Sequence, residues 1–126
     1  MMTFYKAVVR PVTEYACQVW HPGLSKAQHH KLEQIQRRAL RIIFQETPYE
    51  LALSSADTTT LEERRDNICK QMFLKMGHDS NKLNSWLVNR PKPSCNIRHF
   101  RQYHVPLLKN ERYKKDFIIY SLVNFQ

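Results

Sequence analysis

At 126 residues the chain is long enough for one domain with a modest core, and no apolar run in it approaches the length of a membrane span. Only two glycines are present, which disfavours a turn-rich all-β fold and leaves neither of the glycine-rich phosphate-loop patterns. Twenty Lys and Arg against eleven Asp and Glu give a net charge of +9, which points to a polyanionic partner.

The basic excess sits at the two ends. Residues 1–46 carry seven basic and three acidic side chains, residues 47–87 five and six, and residues 88–126 eight and two. Cys17, Cys69 and Cys95 cannot all pair with one another, so reduced thiols in an intracellular setting are expected. Lys6, Arg10 and Glu14 interrupt the start of the chain and leave no uncharged stretch for a signal peptide.

Phe4, Val8, Val12, Tyr15, Ala16 and Val19 recur at helical spacing, and Pro11 inside that pattern predicts one kinked helix or two short ones. His21-Pro22-Gly23 stops it. Ser25 with Gln28 three residues on is a capping box, opening a long two-faced helix over residues 25–44. Leu32, Ile35, Ala39, Ile42 and Ile43 fall on one arc of it, expected to pack on the preceding helix. Lys31, Arg37, Arg38 and Arg41 fall on the opposite arc. His29 and His30 point in two directions and are read as surface or partly buried groups, not as joint metal ligands.

Thr47-Pro48-Tyr49-Glu50 repeats the helix-start grammar, with Thr47 as cap, for a short helix over 48–54. Thr60 with Glu63 opens another over 61–76, with Leu61, Ile68, Cys69, Met72, Phe73 and Met76 as its apolar set and Gly77 able to end it. A further short helix over 81–87 is expected to bury Leu83, Trp86 and Leu87. From residue 89 the chain turns into a proline-punctuated basic and aromatic loop, and the apolar run 117–125 reads as a strand or helix docked on a core. The expected architecture is therefore mostly α: a helical domain over 1–88, with the irregular basic segment 89–126 docked on it.

Catalytic chemistry finds little material. Asp57, Asp66 and Asp79 form no paired motif, and Glu62-Glu63 is explained by the favourable dipole at a helix start. Cys95-x3-His99-x4-His104 supplies three possible ligands where a structural zinc needs four, with no Cys-x2-Cys beside it. The chain alone is expected to have no catalytic residue, metal or cofactor. Phosphate binding is better supplied: Lys31, Arg37, Arg38 and Arg41 on one helix, Arg98, Phe100, Arg101 and Tyr103 as a charge-and-stacking set, and Arg112, Lys114 and Lys115 beyond. Nothing in these segments is suited to reading bases, so RNA or DNA would be held by its backbone.

Arg10-Pro11, Glu14-Tyr15-Ala16, Val19-Trp20-His21-Pro22, Leu32-Glu33 and Gln36-Arg37-Arg38-Ala39-Leu40-Arg41-Ile42-Ile43 resemble the region that follows the polymerase core in non-LTR retrotransposon reverse transcriptases. Leu61-Glu62-Glu63-Arg64-Arg65, Asn96-Ile97-Arg98, Val105-Pro106, Arg112-Tyr113-Lys114 and Phe117-Ile118 continue the resemblance in the same order. It implies a thumb-like helical segment that grips template and primer, a remnant of a mobile element without the polymerase itself, since no Y-x-D-D aspartates are present. The missing polymerase core would then be a partner. The rival expectation is a protein-interaction module, in which the apolar strip of the second helix and residues 117–125 seek another chain and the charge keeps it soluble.

Overall fold

The computed structural model describes residues 1–45, 47–91, 94, 100–107 and 110–126. The fold is mostly α, and its first helix is kinked as expected. Helix α1 (Met2–Phe4) runs through a π-helical turn, Tyr5–Val9, into α2 (Arg10–Glu14). In a regular helix the Pro11 ring would strike the carbonyl four residues back, and the widened turn just before it relieves that clash. A second break follows at Ala16, held in the left-handed region at φ 47°, before α3 (Cys17–Trp20) and a 3₁₀ turn at His21–Gly23.

The long helix α4 (Lys26–Phe44) begins with the expected capping box. The Ser25 hydroxyl accepts the Gln28 N–H, while the Gln28 side chain accepts the Ser25 N–H at 2.8 Å. Helix α5 (Tyr49–Ser55) starts one residue later than its grammar predicts. Pro48 takes the cap position, and the Thr47 hydroxyl instead donates backward to the Phe44 carbonyl at 2.6 Å, satisfying an end group of α4. Asp57, at φ 48°, closes α5: its N–H reaches the Ser54 carbonyl and the Thr58 N–H the Leu53 carbonyl, the paired bonds of a Schellman cap. Helix α6 (Leu61–Met76) has the predicted bounds, with the Thr60 hydroxyl accepting the Glu63 N–H.

Two compact units result, Met1–Ile68 and Cys69–Gln126. In the first, Leu40, Ala52 and Ala56 form the buried apolar heart, with Met2, Phe44, Tyr49 and Leu53 around them. The arc of α4 that turns inward is thus not the predicted one. It centres on Gln36 and Leu40, both fully buried, whereas Ile35 is 44% and Ile42 59% exposed. Polar bonding sets this rotation. The Tyr5 hydroxyl donates to Gln36 Oε1 at 2.6 Å, and Gln36 Nε2 donates to the Tyr49 hydroxyl at 3.1 Å and the Thr59 carbonyl at 2.9 Å.

The kinked helix is inverted in the same sense. Its inward side carries Tyr5, Arg10, Thr13 and Cys17, while the helically spaced apolar residues Phe4, Val8, Val12, Tyr15 and Val19 are exposed. Again polar partners hold it: Lys6 Nζ donates to the Ala56 carbonyl, Arg10 to the Thr58 hydroxyl, and Arg64 grips Glu14 through two bonds of 2.5 and 3.1 Å.

In the second unit Phe73, Met76, Leu87, Tyr103 and Leu122 form the core. Residues 82–86 make a 3₁₀ turn, Lys82–Trp86, capped by the Asn81 side chain. Leu87 is buried and Leu83 packs on the core, but Trp86, expected inside, is 61% exposed. The short helix α7 (Glu111–Lys114) precedes α8 (Phe117–Asn124), whose N–H of Ile118 is capped by Asp116. The run 117–125 is therefore a helix, and Ile119, Ser121 and Leu122 are buried in this unit. Gly77 follows α6 without a positive φ. A Cβ there would lie 3.0 Å from the Tyr103 hydroxyl, so close approach, not turn geometry, is what suits glycine to the position.

Candidate nucleic-acid interface

The cationic face of α4 lies on the first unit as predicted from its periodicity. Lys31, Arg37, Arg38 and Arg41 are all exposed, and none of them joins an ion pair among the described residues. A guanidinium without a carboxylate neighbour keeps its donors for an outside acceptor. Arg37 and Arg41, one helical turn apart, line a groove of about 280 Å³ between α4 and α5, whose other walls are Leu40, Thr47, Pro48, Tyr49 and Ala52. Around the outside of α4, Arg37, Arg38 and Arg41 share a shallow surface with Gln34 and Ile42.

Tyr49 organises the groove, and sequence reasoning did not single it out. The Arg37 guanidinium lies 4.6 Å from the centre of its ring, a cation–π contact that restricts a long side chain to one region of space. The ring is fixed in turn through its hydroxyl, which donates to Glu33 and accepts from Gln36. Burial, with Glu33 alongside, raises the Tyr49 pKa above its ordinary value and keeps the hydroxyl protonated. The second carboxylate oxygen of Glu33 accepts the Leu61 N–H at 3.0 Å, so one acidic side chain both braces the tyrosine and caps the start of α6. No sequence spacing announces these contacts, because Glu33, Tyr49 and Leu61 belong to three different helices.

The second unit holds the other predicted cations. Arg101, Arg112, Lys114 and Lys115 are exposed. Lys114 pairs with Glu111, and that contact holds the Glu111 carboxyl below its usual range. Phe100 is 39% exposed, which leaves part of its ring open to stacking. Tyr103 departs from expectation. It is 8% exposed and packs edge-on against Phe73 at 5.9 Å, so it belongs to the core and not to a stacking surface. Its neighbours are tied by an antiparallel bridge, Arg90 N–H to the Gln102 carbonyl and His104 N–H to the Val88 carbonyl, both at 2.8 Å. That pairing sets the inward direction of Tyr103 between the outward Gln102 and His104. Arg98 lies outside the described residues, as do Cys95 and His99 of the candidate zinc triplet. Among the described residues no cluster of His, Cys, Asp or Glu could hold a metal.

A His–Asp pair does occur in the first unit, between a buried histidine and a half-exposed aspartate. His21 is buried, its Nε2 lies 3.0 Å from Asp66 Oδ1, and its Nδ1 accepts from Arg65 Nε at 3.3 Å. These bonds match a neutral imidazole with its proton on Nε2, since a second proton would face the Arg65 guanidinium. Burial lowers the His21 pKa below the ordinary 6.5, Asp66 opposes that shift, and Arg65 and His29 reinforce it. A group that resists protonation only when folded contributes stability that is complete above about pH 6.5 and lost as the pH falls toward its folded pKa. The melting temperature is therefore expected to drop between pH 7.5 and pH 5, and the drop should be shallower in His21→Gln, measured by circular dichroism at each pH. An equal drop in both proteins would remove His21 from the account.

No helix among the described residues is long and apolar enough to cross a membrane. No family model, curated protein or solved structure matches the chain.

Proposed function

We propose that the chain holds RNA or DNA by its sugar-phosphate backbone through the arginine face of α4, without catalysis of its own. The observation that carries this is the set Arg37, Arg38 and Arg41: exposed and free of carboxylate partners among the described residues, with Arg37 and Arg41 lining a groove walled by Tyr49. Three guanidinium forks within little more than one turn of a helix, Arg37 and Arg38 side by side and Arg41 one turn on, suit neighbouring phosphates, and the Tyr49 stack limits the entropy lost when Arg37 engages. The resemblance to the segment after the polymerase core of non-LTR reverse transcriptases supports the same reading and gives the grip a role, steadying template and primer. Arg101, Arg112, Lys115 and the open part of the Phe100 ring offer a second, independent backbone contact on the other unit.

Fluorescence anisotropy against labelled single-stranded RNA, single-stranded DNA, duplex and RNA–DNA hybrid tests it. The wild-type chain should bind, and the triple variant Arg37→Ala, Arg38→Ala, Arg41→Ala should bind roughly 100-fold more weakly at the same salt. Since all three side chains are exposed, the variant should keep its helix content. Unchanged affinity in a folded triple variant would refute the proposal.

A further inference from the structure

The groove between α4 and α5 offers more than a phosphate uses. Leu40, Ala52 and Pro48 give it apolar walls, and the first two are buried. Its hydroxyls are already committed: Thr47 donates to the Phe44 carbonyl at 2.6 Å, and the Tyr49 hydroxyl is held between Glu33 and Gln36. What remains is flat surface and positive charge. The Arg37 guanidinium lies over the Tyr49 ring, 4.6 Å from its centre, and the side chain is exposed where it lines the groove.

Size and charge narrow the guest. At about 280 Å³ the groove falls at the bottom of the range that begins at roughly 300 Å³ for drug-sized molecules, so it has room for one small planar group and not for a length of chain. Two larger hollows of the same unit, about 480 and 490 Å³, set Glu50, Asp57 and Glu63 against Arg64 in one, and Glu33 and Glu62 against Lys26 in the other. No carboxylate lines the Arg37 groove among the described residues, which makes it the better host for a group that comes attached to a phosphate.

We propose that this groove takes one unpaired nucleobase, stacked on the Arg37 guanidinium, while Arg41 one turn away holds the phosphate beside it. A guanidinium plane stacks on a base as an aromatic ring does, and every base presents such a face. With the groove's hydroxyls committed, the base is held without regard to its identity. Single strands are therefore favoured over duplex, whose bases are already stacked on one another. The inference rests on the phosphate grip and adds the base to it.

Anisotropy of the full chain on a labelled single-stranded DNA, and on an abasic strand with the same number of phosphates, tests it. The wild type should bind the abasic strand about 10-fold more weakly. The slope against salt should be the same for both strands, because they offer the same phosphates. Arg37→Lys keeps the charge but has no planar face, and should bring the two strands within about 2-fold of each other. Helix content should be unchanged, as Arg37 is exposed. Equal wild-type affinities for the two strands, with the salt slope intact, would overturn the base stack and leave the grip standing. An undiminished preference for the intact strand in Arg37→Lys would overturn the assignment to this groove. Wild-type binding that does not respond to salt would overturn the grip, and this inference with it.

Discussion

Gln36→Leu is expected to destabilise the first unit by about 3 kcal/mol, although leucine is more apolar and the site is fully buried. The amide is the junction of that interior, taking a hydrogen bond from Tyr5 and giving one each to Tyr49 and to the Thr59 carbonyl. Leucine leaves the buried Tyr5 hydroxyl and the part-buried Thr59 carbonyl without this partner, at about 1–3 kcal/mol for the buried group and less for the other. Thermal melting should register a fall on the order of 10 °C. Tyr5→Phe in the Gln36→Leu background should recover about 1 kcal/mol, because it removes one of the stranded groups. If Gln36→Leu melts with the wild type, polar bonding does not set the rotation of α4.

Phe73→Ala is the counterpart in the second unit, expected to cost about 3–5 kcal/mol. Phe73 is buried at the centre of that core, edge-on to Tyr103 at 5.9 Å and tilted against Phe125 at 6.4 Å. Removing the ring opens a cavity bounded by residues that approach from three separate segments, so little of it can collapse. Amide hydrogen exchange at Tyr103 and Leu122 should accelerate, and urea should unfold the variant at lower concentration. Phe100→Ala, with its ring partly in water, should change stability by less than about 1 kcal/mol. Equal effects at Phe73 and Phe100 would contradict this core.

The helix framework is local physics and was legible. Ser25 and Gln28 cap α4, Thr60 caps α6 at the predicted bounds, and Pro11 forces a distortion in the helix that contains it. The cationic arc of α4 was legible for the same reason, since helical period alone places Lys31, Arg37, Arg38 and Arg41 together. Facing was the part that hydropathy misjudged. Periodicity ranks faces by apolar content, and on that scale Phe4, Val8 and Val12 belong inside while Gln36, Arg10 and Arg65 belong outside. Arg65 is fully buried, with its Nε on His21 and its guanidinium 5.7 Å from the Trp20 ring. Such polar contacts span many residues in sequence, and a hydropathy scale read along one helix does not register them. Tyr103 misled in the opposite direction: set between Gln102 and His104, with Arg101 close by, it reads as a surface ring, yet strand-like pairing at Val88 and Arg90 turns it inward.

The central claim is a phosphate grip by three arginines, and the salt dependence of binding tests it most directly. Affinity for duplex should be measured for the wild type and for the Arg37→Ala, Arg38→Ala, Arg41→Ala variant over a salt series. Each phosphate contact releases a counterion, so the plot of log affinity against log salt should be shallower in the variant by about 2–3 units. Parallel plots for the two proteins would show that these arginines touch no phosphate and would contradict the account.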